Sequence, residues 1–127
     1  MGGIIHLMKK IIVVDDNQDI LEVTKLILEI ENYEVLTIED PHSIITAIRD
    51  YRPELVILDV MMGDIDGRDV CHHLKTSSDT RHIPVLMFSA VHGFKSITEN
   101  RCAADDFIAK PFDVQLLLTK VGRLLLD

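Results

Sequence analysis

The chain has 127 residues, 47% of them hydrophobic and 27% charged, and a formal net charge of −8. That is the size of one domain, large enough to bury a core without disulfides or a structural metal. No stretch of Lys and Arg is long enough to track a phosphate backbone, so direct nucleic-acid binding is not expected, and the acidic balance disfavours an anionic membrane surface.

Residues 1–8 read as an N-terminal extension, and residues 9–127 as a single domain. The extension is too short for a signal peptide. His6 stands where a myristoylation signal needs Ser or Thr. Met8 reads as a candidate for the true start, with the seven residues before it arising from an alternative start. The first apolar run is Ile11-Ile12-Val13-Val14, and a helix follows with Asn17 as N-cap and Ile20, Leu21, Thr24, Ile27 and Leu28 on one face. Val35 to Ile38 is the second run. Asp40-Pro41 opens the second helix, a cap followed by proline at the first helical position, with Ile44, Ile45 and Ile48 inward. Leu55 to Leu58 is the third run. The third helix starts near Asp66-Gly67 and buries Val70 and Leu74. Val85 to Phe88 is the fourth run. A fourth helix, Phe94 to Ala103, has sparse apolar residues, as expected of a loosely held element. Phe107-Ile108-Ala109 is the last strand. The fifth helix starts near Asp113 and carries Val114, Leu117, Val121, Leu124 and Leu125.

The longer apolar runs are continuous rather than alternating, as in strands buried on both faces. Strand–helix alternation gives right-handed βαβ units and a parallel sheet. The expected class is α/β: a flavodoxin-like, doubly wound, five-stranded parallel sheet of order 2-1-3-4-5 with five helices. No apolar run reaches the roughly 20 residues of a membrane span. Cys71 and Cys102 belong to no ligand-spaced motif and read as reduced, mostly buried side chains, which fits a cytoplasmic location. His72 and His73 are adjacent on a helix and face different ways, while His6, His42, His82 and His92 are scattered; all read as surface residues.

In open α/β sheets ligands gather at the carboxyl ends of the strands. The first run ends in Asp15-Asp16, the third in Asp59, the fourth in Ser89-Ala90, and the last is followed by Lys110-Pro111-Phe112. Two carboxylates about 5 Å apart repel by roughly 3 kcal/mol at an effective dielectric near 20. A hard divalent cation removes that conflict, and Mg²⁺ (with Mn²⁺ as an alternative) suits a few carboxylates plus waters. The same cation screens an incoming phosphoryl group. A carboxylate is a competent nucleophile for an acyl phosphate, and Ser89 is placed to donate to a phosphoryl oxygen. Taken singly, an Asp after a strand is usually a cap, and a lone Lys a solvated charge. The set, in order on separate strand ends, is what carries the reading.

These pieces resemble the response regulator receiver domain of two-component signalling, over nearly all of residues 9–126. The matching motifs are Ile12-Val13-Val14-Asp15-Asp16, Leu55-Val56-Ile57-Leu58-Asp59-Val60-Met61-Met62, Asp66-Gly67, Ser89-Ala90, and Asp105-Asp106-Phe107-Ile108-Ala109-Lys110-Pro111-Phe112. The resemblance implies that Asp59 is phosphorylated by a histidine kinase or phosphotransfer protein, in a reaction the domain itself catalyses. It implies Mg²⁺ on Asp15, Asp16, Asp59 and the Met61 carbonyl, and Lys110 on the phosphoryl group through a cis bond to Pro111. Ser89, Ala90 and Phe107 would form the switch, signalling through the fourth helix, last strand and fifth helix to an effector. That face, with Leu116 and Leu118, is also the expected homodimer surface. Met61 and Val91 occupy the two positions that tune dephosphorylation. Neither orients a water, so a long-lived phosphoryl group is expected. Three departures from the family are Gly63 in place of Pro, Ala103 in place of Gly, and Phe107 in place of Tyr. The glycine should loosen the loop beside Asp59.

Three other readings compete. An Asp-nucleophile, Mg²⁺-dependent phosphatase wants a second Asp where Met61 stands. A flavodoxin-like cofactor binder needs hydroxyls and glycines where Asp15-Asp16-Asn17 stand. A docking receiver that works without phosphorylation would have no use for the intact site. The chain ends just after the fifth helix, which is consistent either with a stand-alone regulator or with a receiver cut from a longer protein.

Overall fold

Five strands assemble side by side around three runs of Val, Ile, Leu, Met and Phe, Ile11 to Val14, Leu55 to Leu58 and Val85 to Phe88, which are apolar on both faces and must be covered twice. A computed structural model describes residues 8–90 and 102–126. In chain order the elements are β1 (Lys10–Val14), α1 (Gln18–Ile30), β2 (Glu34–Ile38), α2 (Ile44–Tyr51), β3 (Leu55–Asp59), β4 (Met61–Met62), β5 (Ile65–Asp66), α3 (Gly67–Thr76), β6 (Val85–Ala90), β7 (Asp106–Lys110) and α4 (Val114–Leu124). The last of these is the fifth helix of the expected series. The expected fourth helix falls almost entirely outside the described residues; Cys102 lies in a turn.

The main sheet has the order β2-β1-β3-β6-β7 with every pairing parallel. This is the expected 2-1-3-4-5 order. Alternate residues of each strand enter different layers. Ile12, Val14, Val56, Leu58, Val85 and Met87 face α2 and α3, through Ile44, Ile48, Cys71 and Leu74. Ile11, Val13, Leu55, Ile57, Leu86 and Phe88 face α1 and α4, through Leu21, Leu28, Leu117 and Val121. Each fully buried Leu or Ile of this kind contributes about 1.5–3 kcal/mol.

The structure adds and corrects details. A short antiparallel hairpin, β4–β5, follows β3 and was not expected. Two residues per strand leave too little pattern to read. Asp40 does cap the second helical segment, but its first turn, Pro41–Ser43, is a 3-10 turn, and the α-helix begins at Ile44. Val70 is half-buried, and Cys71 shares the buried face of α3 with Leu74. Val114 is exposed, because α4 turns only Leu117 and Val121 fully inward. Leu116 is exposed, whereas Leu118 packs on the inner layer and is only partly available to a partner.

Candidate phosphoacceptor site

The parallel register delivers the polar residues to one end of the sheet. Val14 is paired with Leu58 and Asp59 with Phe88, so Asp15 and Asp59 emerge side by side. Ser89 lies opposite Ala109, and Ala90 opposite Lys110.

Asp15 is fully buried. Its Oδ1 accepts the Asn17 N–H at 2.9 Å, and its Oδ2 accepts the Lys110 ammonium at 2.5 Å. Asn17 in turn caps α1, accepting the N–H groups of Asp19 and Ile20. The helix cap therefore also orients the first carboxylate. Asp16 is exposed, and oxygens of Asp15, Asp16 and Asp59 all lie within 4.8 Å of one another. Lys110 Nζ is 3.4 Å from Asp59 Oδ1 and 5.7 Å from the centre of the Phe88 ring, which stacks on Phe112 at 5.3 Å. The Lys110–Pro111 peptide bond is cis. Ser89 is buried at the end of β6.

Among the described residues, three carboxylates thus face one ammonium. The imbalance shows in Asp59, whose carboxyl is pushed up to about 6. Burial is the largest cause, and the Asp15 charge adds to it. Lys110 and the Met61 N–H pull the other way. A site short of positive charge, built of hard oxygen donors, fits Mg²⁺.

The loop after Asp59 depends on Gly67. A Cβ there would sit 1.9 Å from the Asp59 carbonyl oxygen, and the Gly67 N–H donates to the Val60 carbonyl at 2.6 Å. The missing side chain lets the first turn of α3 press against the backbone that carries the acceptor. Asp66 caps that turn through the Arg68 N–H. Gly63 takes φ +60 in the β4–β5 turn, so its conformational freedom is used rather than merely permitted. Met61 is 62% exposed, next to the acceptor.

Asp15, Asp16, Asp59 and Lys110 are brought together, with Met61 and Ser89 on strands beside them. Phe107 packs against the α2–α3 layer instead of entering the carboxylate cluster. Val91 lies outside the described residues. Phe88, Asn17 and Gly67 gained no site role in the sequence reading. Phe88 is hidden in an apolar run, and Asn17 and Gly67 read as ordinary cap and helix start. A cleft of about 1080 Å³ lies at the other ends of the strands, lined by Lys9, Arg52, Ile83 and Leu124, and includes none of these carboxylates.

A family model for the response regulator receiver domain matches residues 11–122. The chain belongs to that family. The "Probable transcriptional regulator ycf27" of Cyanophora paradoxa is 38% identical over 118 residues, 92% of this chain and 48% of that protein. The "DNA-binding dual master transcriptional regulator RpaA" of Synechocystis is 34% identical over 125 residues, 93% of this chain and 49% of that protein. The receiver domain thus spans about half the length of these curated relatives. The N-terminal signal receiver domain of a two-component response regulator from Bacteroides fragilis superposes with a TM-score of 0.86 at 30% identity, covering 95% of this chain and 99% of that one.

The receiver domain therefore belongs to two-component signalling, whose regulators act between histidine kinases and downstream effectors. The relatives' names give no support to the expectation that nucleic acid plays no part. Among the described residues, no helix is long and apolar enough to cross a membrane.

Proposed function

We propose that the receiver domain accepts a phosphoryl group on Asp59 from a cytoplasmic histidine kinase or phosphotransfer protein and holds it while an effector reads the change. The observation that carries this is the convergence of Asp15, Asp16 and Asp59 within 4.8 Å, opposed among the described residues by Lys110. Asp15, Asp16, Asp59 and the Met61 carbonyl would hold Mg²⁺. When bound, the cation supplies the charge that offsets the carboxylates and the phosphoryl oxygens.

The chain's own residues do the rest. An Asp59 oxygen attacks phosphorus in line, the P–N bond to the donor imidazole breaks, and the imidazole nitrogen leaves with its electron pair. Deprotonated Asp59 is the nucleophile, so a carboxyl held at about 6 is ready in neutral solution. The Asp15 carboxylate holds the Lys110 ammonium at the edge of the site, where it can turn toward a phosphoryl oxygen. Ser89 supplies a hydroxyl to a second oxygen. Ser89, Ala90 and Phe107 then carry the change to the face of the expected fourth helix, which lies almost entirely outside the described residues, with β7 and α4, and this is also the proposed homodimer surface.

Beryllofluoride with Mg²⁺ tests the site directly, because it mimics the phosphoryl group without turnover. The wild type should bind it and Asp59→Asn should not; a wild type that fails to bind would leave only a docking role. Met61 and Val91 should make the phosphoryl group long-lived. A Met61→Asn, Val91→Glu double variant should lose it several-fold faster, as measured by loss of radiolabel. Equal rates would refute that expectation.

A further inference from the structure

The strand pair that carries Met61 is too short to hold itself. β4 and β5 have two residues each, with Met61 paired to Asp66 and Met62 to Ile65. An isolated two-stranded hairpin is marginal in water even when longer. Its turn runs through Gly63, at φ +60 and with nothing within 4 Å of a Cβ placed there. The turn adds freedom rather than restraint. Contacts outside the hairpin must therefore fix the Met61 backbone.

Those contacts enter at Asp66. It pairs with Met61 across the hairpin and is also the N-cap of α3. Its Oδ1 accepts the Arg68 N–H at 2.9 Å. The Arg68 guanidinium grips the same carboxylate as a fork, with Nε donating to Oδ1 at 2.9 Å and Nη2 to Oδ2 at 2.6 Å. The Arg68 and Asp66 side chains are only 20% and 25% exposed. A bidentate pair shielded at both ends holds one geometry, where a fully exposed pair contributes little. The first turn of α3 is itself fixed beside the acceptor, through the Gly67 N–H on the Val60 carbonyl. From that fixed turn, Arg68 reaches back to hold the residue that lies opposite Met61.

We propose that Arg68 is a positioning residue for the metal site, which fixes the hairpin through the Asp66 carboxylate and so sets the direction of the Met61 carbonyl. This rests on the reading of that carbonyl as a Mg²⁺ ligand. Arg68 is outside the cluster of Asp15, Asp16 and Asp59 and acts on the site through backbone. Partners that orient a metal ligand from outside in this way are worth about 10–100-fold in metal affinity. Lysine would not serve as well, because a single ammonium cannot reproduce the planar fork.

Two measurements on the full chain test it. The first is amide hydrogen exchange over residues 61–66 in metal-free protein. Exchange should be several-fold faster in Arg68→Met than in wild type, with Arg68→Lys between them. The second is a calorimetric titration with Mg²⁺. Arg68→Met and Asp66→Asn should each bind about tenfold more weakly. Asparagine still caps the helix, so its loss reports the ion pair. The double variant should bind no more weakly than either single one, because the two side chains act as a unit. Unchanged exchange in Arg68→Met would overturn the proposal. So would wild-type Mg²⁺ affinity in that variant, even with lowered stability in urea, or losses that add in the double variant. A wild type that takes up no Mg²⁺, while Arg68→Met still exchanges faster, would refute the metal reading and leave the anchoring of the hairpin standing.

Discussion

At the scale of single residues, the site is a balance of charge. Asp59 illustrates it. Its carboxyl titrates near 6 in the folded chain but near 3.9 when unfolded. A raised folded value means the native state binds the proton more tightly. The associated stability is complete below about pH 4 and is lost as pH rises through about 6. Removing the charge should therefore help the metal-free protein. Asp59→Asn is expected to be more stable than wild type by about 1–2 kcal/mol near pH 7.5, after allowance for partial screening. The difference should vanish near pH 4 and narrow when Mg²⁺ is added. Urea unfolding at the two pH values checks this; a gain that is equal at both would show that Asp59 is not under electrostatic strain. The charged set was legible because Asp, Ser and Lys stand out after apolar runs. Phe88 was not. A phenylalanine that walls a site and one that fills a core are written the same way, and only the 5.7 Å approach of the Lys110 ammonium separates them.

At the scale of elements, three positions show where local pattern and tertiary demand part. Gly67 was read as the start of a helix, but its reason is the 1.9 Å approach a Cβ would make to the Asp59 carbonyl. Gly67→Ala should cost about 2–4 kcal/mol and weaken Mg²⁺ binding, because the acceptor backbone must move. Calorimetry and a metal titration together check it; a variant with native stability and affinity would contradict the close packing. Ala103 has φ +59, a left-handed conformation that penalises a Cβ by roughly 1 kcal/mol. Its replacement of glycine was visible in the sequence, but the strain was not. Ala103→Gly should raise stability by up to about 1 kcal/mol in urea unfolding; a loss would mean the unfolded chain gains more freedom than the fold recovers. Thr24 on α1 is fully buried, and its hydroxyl has no hydrogen-bond partner among the described residues. Thr24→Val keeps the shape and removes the unpaired hydroxyl, so it should stabilise by about 1 kcal/mol. Helical spacing correctly placed Thr24 on the inner face but said nothing of its missing partner. The β4–β5 hairpin and the 3-10 turn at Pro41 were equally invisible, since two or three residues carry no period.

At the scale of the whole molecule, the fold was legible because the three inner strands, β1, β3 and β6, are apolar on both faces. Ile11 and Val13 enter one layer, Ile12 and Val14 the other. That pattern requires helices on two sides and so a doubly wound sheet, and chain order does the rest by placing every strand's carboxyl end at one edge. What periodicity could not supply is which outward residues stay outward. Leu116 and Leu118 looked alike on the last helix, yet one is exposed and the other packs on the inner layer. Nor do strand ends say which partner meets them, and the longer relatives couple their matching half to more than this receiver domain contains. The central claim is that these strand ends make Asp59 a phosphoacceptor. Intact mass after incubation with acetyl phosphate and Mg²⁺ tests it most directly. The wild type should gain the mass of one phosphoryl group, and both Asp59→Asn and wild type with excess EDTA should gain none. A wild type that stays unmodified, or an adduct that persists in Asp59→Asn, would contradict the account.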